Sequence, residues 1–123
     1  MIILKKIAGI YSVLMGCSII ILWVILLTSN QVPELNTEPA SIYFHIVAEL
    51  LMAVLLLICG ISFLLGYKWS VRLFTFSTGL LVYSVINSSG YYANNGQISM
   101  VIVFMIILIL TLVILGQLIM KNK

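Results

Sequence analysis

Two side chains that can exchange a proton or bind a cation, His45 and Glu49, lie four residues apart in an otherwise apolar stretch. Because an α-helix turns once in about 3.6 residues, this spacing places both on one helix face. Glu49 is the one acidic residue within a hydrophobic segment, and a carboxylate in hydrocarbon is costly. It could be protonated and donate a hydrogen bond, pair with a protonated His45, or bind a cation or an amine ligand.

In the third predicted helix, polar or small residues recur every four positions, and the last two of them are Tyr83 and Asn87. At 1.5 Å per residue, both are expected about 5–10 Å below the outer end of their helix, close to the depth of Glu49. Ser84 and Ser88 belong to a weaker stripe on the same segment. The predicted outward-facing cluster consists of His45, Glu49, Tyr83 and Asn87.

This cluster has three interpretations. In the first, it binds an ion or a small amphipathic ligand, as in a transporter or a sensor, with Glu49 as the proton- or cation-responsive group, His45 as its partner, and Tyr83 and Asn87 as orienting donors. In the second, it only joins helices in a structural or accessory subunit, through hydrogen bonds of about 1 kcal/mol each. The third is an enzyme that acts on lipid or quinone. We predict the first, and assign no catalytic residue.

The chain has few residues that could bind a metal or a cofactor. One histidine and one carboxylate are too few for a structural zinc site, which takes four ligands. The two cysteines, Cys17 and Cys59, form no Cys-x-x-Cys pair, which argues against a thiol oxidoreductase. The sequence contains no Gly-rich phosphate loop and no nucleophile elbow. We therefore predict no metal and no cofactor.

Composition places the chain in a membrane. Of its 123 residues, 63% are hydrophobic and 7% are charged, whereas soluble domains average about 25% charged residues. No linker divides residues 1–123, so a single domain is expected. The net charge of +3 does not indicate nucleic-acid binding, because the basic residues lie at segment ends, where they act as topology signals. The lipid bilayer is the predicted partner.

Four apolar segments are long enough to cross a bilayer, which takes roughly 20 helical residues. The loop at 31–39 is rich in turn formers, so no helix is expected there, although Pro39 suits the first turn of the next helix. A second turn-rich loop occupies 89–96. The fold predicted is an all-α bundle of four antiparallel transmembrane helices, at about 7–28, 41–65, 69–89 and 97–120.

The distribution of basic residues predicts the orientation of this bundle. All six Lys and Arg residues fall at the amino end, in the link between the second and third helices, or at the carboxyl end. The positive-inside rule therefore predicts cytoplasmic termini, in a multi-pass protein of a prokaryotic inner (cytoplasmic) membrane. A lipoprotein signal with Cys17 as the lipidated residue fits less well, because the apolar run continues to Leu27.

Small residues mark the faces on which helices can approach closely. In the first helix Ala8, Ser12 and Gly16 recur every four residues, and Gly60 and Gly79 are the corresponding positions of the second and third helices. We predict helix packing at these five residues. The first-helix stripe is also expected to support self-association of the chain, and a partner membrane protein is the alternative.

The segment from Phe44 to Glu49 reads Phe-His-Ile-x-Ala-Glu, and an apolar run leads from it to Cys59. This pattern resembles one found in small, uncharacterised four-helix membrane proteins of bacteria and archaea. The similarity is concentrated in the second predicted helix. It implies a four-helix membrane bundle, but no activity or ligand.

Overall fold

The computed structural model describes residues 2–121, which form helices and no strand. Lys123, one of the basic residues predicted to mark the cytoplasmic side, lies outside the described residues. Four long helices and one short helix follow one another along the chain. They are α1 (Ile2–Thr28), α2 (Glu34–Thr37), α3 (Pro39–Leu65), α4 (Ser70–Asn94) and α5 (Ile98–Lys121).

Three of these helices, α1, α3 and α5, are long and apolar enough to cross a membrane. Their length and composition indicate a membrane protein. With 25 residues, α4 has a comparable length but is less apolar, and it packs against both α3 and α5. The prediction that this helix also crosses the bilayer stays a prediction. We call the end of the bundle that holds α2 and the link at 95–97 the loop end, and the opposite end the terminal end.

The helix boundaries correct two sequence expectations. A single helical turn, α2, forms inside the loop at 31–39, where Pro33 begins it with a helical φ of −64°. Helix α4 continues to Asn94 through most of the loop predicted at 89–96. Its last turn is supported by packing, because the ring of Tyr92 stacks on that of Phe104 in α5 at a centroid distance of 5.6 Å. Pro39 lies in the first turn of α3, as predicted.

The small-residue stripe of α1 packs inside the chain, against α3. Ala8 and Ser12 are fully buried, and Gly16 is buried beside them. A Cβ atom on Gly60 of α3 would lie 2.6 Å from the carbonyl oxygen of Gly9, so the two backbones are in close contact. This face is therefore occupied within one chain. Self-association of the chain stays a prediction, and this face is covered by α3 of the same chain.

Gly79 does not have the packing role predicted for it. It lies on the exposed side of α4, and a Cβ atom there would meet no atom within 4 Å. The reason is the rotation of α4 about its own axis, which turns a different row of side chains into the bundle. That row contains Phe74, Leu81 and Val85, each at most 4% exposed.

Helices α1 and α5 make few contacts, and a hydroxyl pair joins them near the middle of the bundle. The hydroxyl of Tyr11 is hydrogen-bonded to that of Thr111 and lies 3.5 Å from the carbonyl oxygen of Ile107. Thr111 also donates to that carbonyl oxygen within its own helix. The Tyr11–Thr111 pair is thus a polar connection between the first and last helices.

Removing this connection is expected to cost about 1 kcal/mol of unfolding free energy, the usual range for a hydrogen bond between membrane helices. We expect Thr111→Val and Tyr11→Phe to cost similar amounts and to be non-additive in a double-mutant cycle. Thr75→Val is the control, because the exposed Thr75 hydroxyl bonds only to the carbonyl of Val71 in its own helix. Denaturant titration in micelles measures the differences, and additive losses would contradict the connection.

Candidate functional site

The structure places His45 and Glu49 on one face of α3, one turn apart. The His45 Nε2 and Glu49 Oε1 atoms are 3.4 Å apart, a distance at which a protonated imidazole forms an ion pair with the carboxylate. The Glu49 side chain is 9% exposed, whereas that of His45 is 36% exposed. The carboxylate is therefore the buried member of the pair, and the imidazole is the more exposed one.

The hydrogen-bond donor to Glu49 is Ser84, which sequence reasoning placed only in the weaker stripe. The Ser84 hydroxyl donates to Glu49 Oε1 over 2.6 Å and so links α4 to α3. Both contacts of the carboxylate, with Ser84 and with His45, are made by the same oxygen. Among residues 2–121, no hydrogen bond to the second oxygen, Oε2, is formed. This oxygen keeps some accessible surface, so it can accept a hydrogen bond from a molecule in the cavity.

Neither Tyr83 nor Asn87 donates a hydrogen bond to Glu49, and their predicted role as orienting donors for a ligand stays a prediction. Tyr83 is 74% exposed, Asn87 is also exposed, and neither side chain is hydrogen-bonded to Glu49. Both border a small cleft of about 90 Å³ between α3 and α4, next to His45 and Glu49, and Asn87 also lines a larger cavity between the helices. One position along a helix rotates a side chain by about 100°, which separates the Ser84 face from the Tyr83 face.

A third helix contributes an aromatic ring to the site. Trp23 of α1 contacts His45 edge to face, with ring centroids 5.8 Å apart and an angle of 68° between the planes. Sequence reasoning missed this residue as a site component, because a tryptophan near a helix end is typical of a membrane interface. The pair His45–Glu49 is therefore held between α1 on one side and α4 on the other.

These residues border a cavity of about 800 Å³ in the half of the bundle nearest the loop end. This volume is within the range of small-molecule binding sites, roughly 300–1,000 Å³. All four long helices contribute to its wall. Its base is apolar and is formed by Met15, Ile19, Met52, Leu81, Phe104 and Ile107.

The mouth of this cavity is polar and carries negative charge. Glu34 and Glu38, from α2 and the residue after it, line the cavity together with Glu49. These three are all of the acidic residues of the chain, and no Lys or Arg among residues 2–121 lines the cavity. Sequence reasoning assigned Glu34 and Glu38 only to a loop. Their place in the wall of the same cavity as Glu49 depends on the conformation of that loop.

The three carboxylates do not converge on one point. In the described part of the chain, no three His, Cys, Asp or Glu side chains are close enough together to hold a metal ion. The acidic groups are therefore distributed along the wall of the cavity.

Comparison with known protein families identifies a family for this chain. The model of a protein family described as a domain of unknown function (DUF8058) matches residues 2–123. No curated protein and no solved structure matches the chain. The family description names no activity and no architecture, so the resemblance carried by the segment around His45 stays a prediction.

Proposed function

Because this chain belongs to the family DUF8058, a domain of unknown function, we propose its function from its own cavity. We infer that the protein binds a small amphipathic ligand between its four long helices, as a transporter or a sensor. The observation that carries this proposal is the cavity of about 800 Å³, which has an apolar base and a polar mouth. Apolar walls with a few placed polar groups are typical of ligand sites.

The membrane arrangement forms part of the proposal. All four long helices would cross a prokaryotic inner membrane, with both termini in the cytoplasm, as the basic residues indicate. The cavity would then open toward the outside, since the loop end carries Glu34 and Glu38 but no Lys or Arg. A less apolar α4 is compatible with this arrangement, because part of its polar surface faces the cavity rather than lipid.

Within the site, Glu49 would be the polar anchor of the ligand. A buried carboxylate in a membrane helix is costly, and such residues commonly mark a substrate or ion path. His45 would act as its partner and gate, because it is more exposed and shares the Oε1 atom with Ser84. In the half of the bundle nearest the terminal end, apolar side chains such as Phe63, Phe74 and Leu118 pack into a core. This core would close that side of the bundle in an outward-open conformation.

The competing function is that of a structural or accessory subunit. It is favoured by the hydrogen bond from Ser84 to Glu49, which joins α4 to α3 whether or not a ligand binds. This bond accounts for the contacts of Oε1. The subunit function does not explain why the chain has a cavity of ligand size, or why Oε2 has no protein partner among residues 2–121.

A cavity-filling substitution separates the two functions. We expect at least one of the eight-carbon probes octanol, octanoate and octylamine to raise the unfolding temperature of the protein in a saturable manner. Binding to the folded state stabilises it by about 2.7 kcal/mol at a hundred times the dissociation constant. Ile19→Trp, at the base of the cavity, should remove this response.

The matched control is Ile21→Trp, because Ile21 lies on the same helix but is 57% exposed. This variant should respond to the probes as the unaltered protein does. A response that survives Ile19→Trp, or no response to any probe, would contradict binding in the cavity. The subunit function would then be tested by gentle extraction and co-purification of a partner.

A further inference from the structure

We propose that the ligand is an amphipathic amine, in which a protonated amino group with N–H donors is attached to an apolar chain. This inference rests on the proposed function and specifies the class of ligand. Three independent features of the cavity support it: its charge, the incomplete hydrogen bonding of Glu49, and the division between its polar mouth and its apolar base.

Charge selects a cation over a neutral or anionic ligand. Glu34, Glu38 and Glu49 all line the cavity, and among residues 2–121 no Lys or Arg lines it; His45 is the one side chain of this lining that can carry a positive charge. A concave site lined by charge of one sign and bounded by low-dielectric walls concentrates its field and attracts counter-ions. An amphipathic anion would meet repulsion at the mouth and again at Glu49.

Hydrogen bonding selects an amine that carries N–H groups. The Oε1 atom of Glu49 already accepts from Ser84 and lies near His45, whereas Oε2 has no protein partner among residues 2–121. Because Oε2 is not among the buried side-chain atoms that lack a partner, it keeps some accessible surface and can accept a hydrogen bond from a molecule in the cavity. A protonated primary amine offers three donors, as the lysine side chain does. A quaternary ammonium group has the same charge but no donor for this oxygen.

The apolar base selects an organic amine over an inorganic cation. Met15, Ile19 and Ile107 offer no oxygen ligand, and no metal-binding group of three side chains forms in the described part of the chain. An apolar chain attached to the amine would instead cover these side chains, at roughly 25 cal/mol per Å² of apolar surface removed from water. The rings of Trp23 and Phe104, which also line the cavity, can contact such a chain.

The chain provides its own reporter for the test. Its two tryptophans are Trp23, which lines the cavity, and Trp69, which stacks on Tyr67 in the link between α3 and α4. Trp69→Phe therefore leaves Trp23 as the single tryptophan. Fluorescence of this variant in nanodiscs of zwitterionic lipid would be titrated with octylamine, octyltrimethylammonium and octanol. Empty nanodiscs correct for partition of each probe into lipid.

Octylamine is expected to bind at least about tenfold more tightly than either other probe, which corresponds to about 1.4 kcal/mol. In the same background, Glu49→Gln should abolish this preference, because the amide keeps the shape of the side chain but loses its charge. The comparison of the three probes on the protein with Glu49 intact does not depend on the folding of that variant.

The possible results distinguish this inference from the function on which it rests. Equal affinity for octylamine and octyltrimethylammonium would overturn the requirement for N–H donors, and tighter binding of octanol would overturn the requirement for a cation. In both cases the cavity would still bind an amphipathic ligand. If no probe changes the fluorescence of Trp23, the proposed function and the inference both fail.

Discussion

Replacing Gly60 with alanine is expected to lower the free energy of unfolding by about 3 kcal/mol, a typical upper value for overpacking a well-packed core. A Cβ atom at this position would lie 2.5 Å from Val13 Cγ2 and 2.6 Å from the carbonyl oxygen of Gly9. Rotation of the Val13 side chain can relieve the first contact. The second involves the backbone of α1, so the two helices must move apart along their whole contact.

Gly79→Ala is the matched control for this prediction. Gly79 is also a helical glycine, but a Cβ atom there would meet no atom within 4 Å. Because alanine is the better helix former by about 0.5–1 kcal/mol, this variant should be as stable as the unaltered protein or slightly more stable. Denaturant titration in micelles gives both values. Similar losses for the two variants would contradict the close packing of α1 on α3.

Replacing Ser84 with alanine is expected to cost about 2 kcal/mol, within the range for a hydrogen bond to a charged group. The Ser84 hydroxyl donates over 2.6 Å to a carboxylate that is largely buried, and the variant would leave Glu49 with His45 as its one close polar neighbour among the described residues. The same variant should weaken the binding of octylamine, because Ser84 orients Glu49 toward the cavity. Ser84→Thr, which retains the hydroxyl, should recover part of both losses.

Tyr83→Phe is the control for Ser84→Ala, because it removes a hydroxyl from the adjacent position. Tyr83 is 74% exposed and is not hydrogen-bonded to Glu49, so we expect a change of less than about 0.5 kcal/mol, as for other surface substitutions. Thermal unfolding and octylamine titration would be measured side by side. A larger loss for Tyr83→Phe than for Ser84→Ala would restore the donor that the sequence predicted.

Stability and binding measurements together separate the two roles of the Ser84–Glu49 bond. If the bond only joins helices, Ser84→Ala lowers the unfolding free energy and the protein binds no probe. If Glu49 anchors a ligand, the loss of stability and the loss of affinity occur together. The bond itself supports either role, and the cavity beside it is the feature that favours binding.

The sequence by itself determined that the chain is helical and that it contains helices long and apolar enough to cross a membrane. Long apolar runs have few alternatives to membrane helices, because every backbone polar group in lipid must be satisfied within the helix. The relation between His45 and Glu49 was also predictable, since a separation of four residues is a local property of a helix. The helical turn α2 and the extension of α4 to Asn94 were not predictable in this way, because packing at the loop end decides them.

Only the tertiary structure decided which faces of these helices meet. In a soluble helix the polar face indicates its rotation, but a membrane helix is apolar on most sides, so its rotation depends on packing against its neighbours. For this reason Ser84 rather than Tyr83 faces Glu49, and the stripe at Ala8 packs against α3 within one chain. The cavity has the same origin, because Glu34 joins Glu49 through the folding of a loop that no helical periodicity describes.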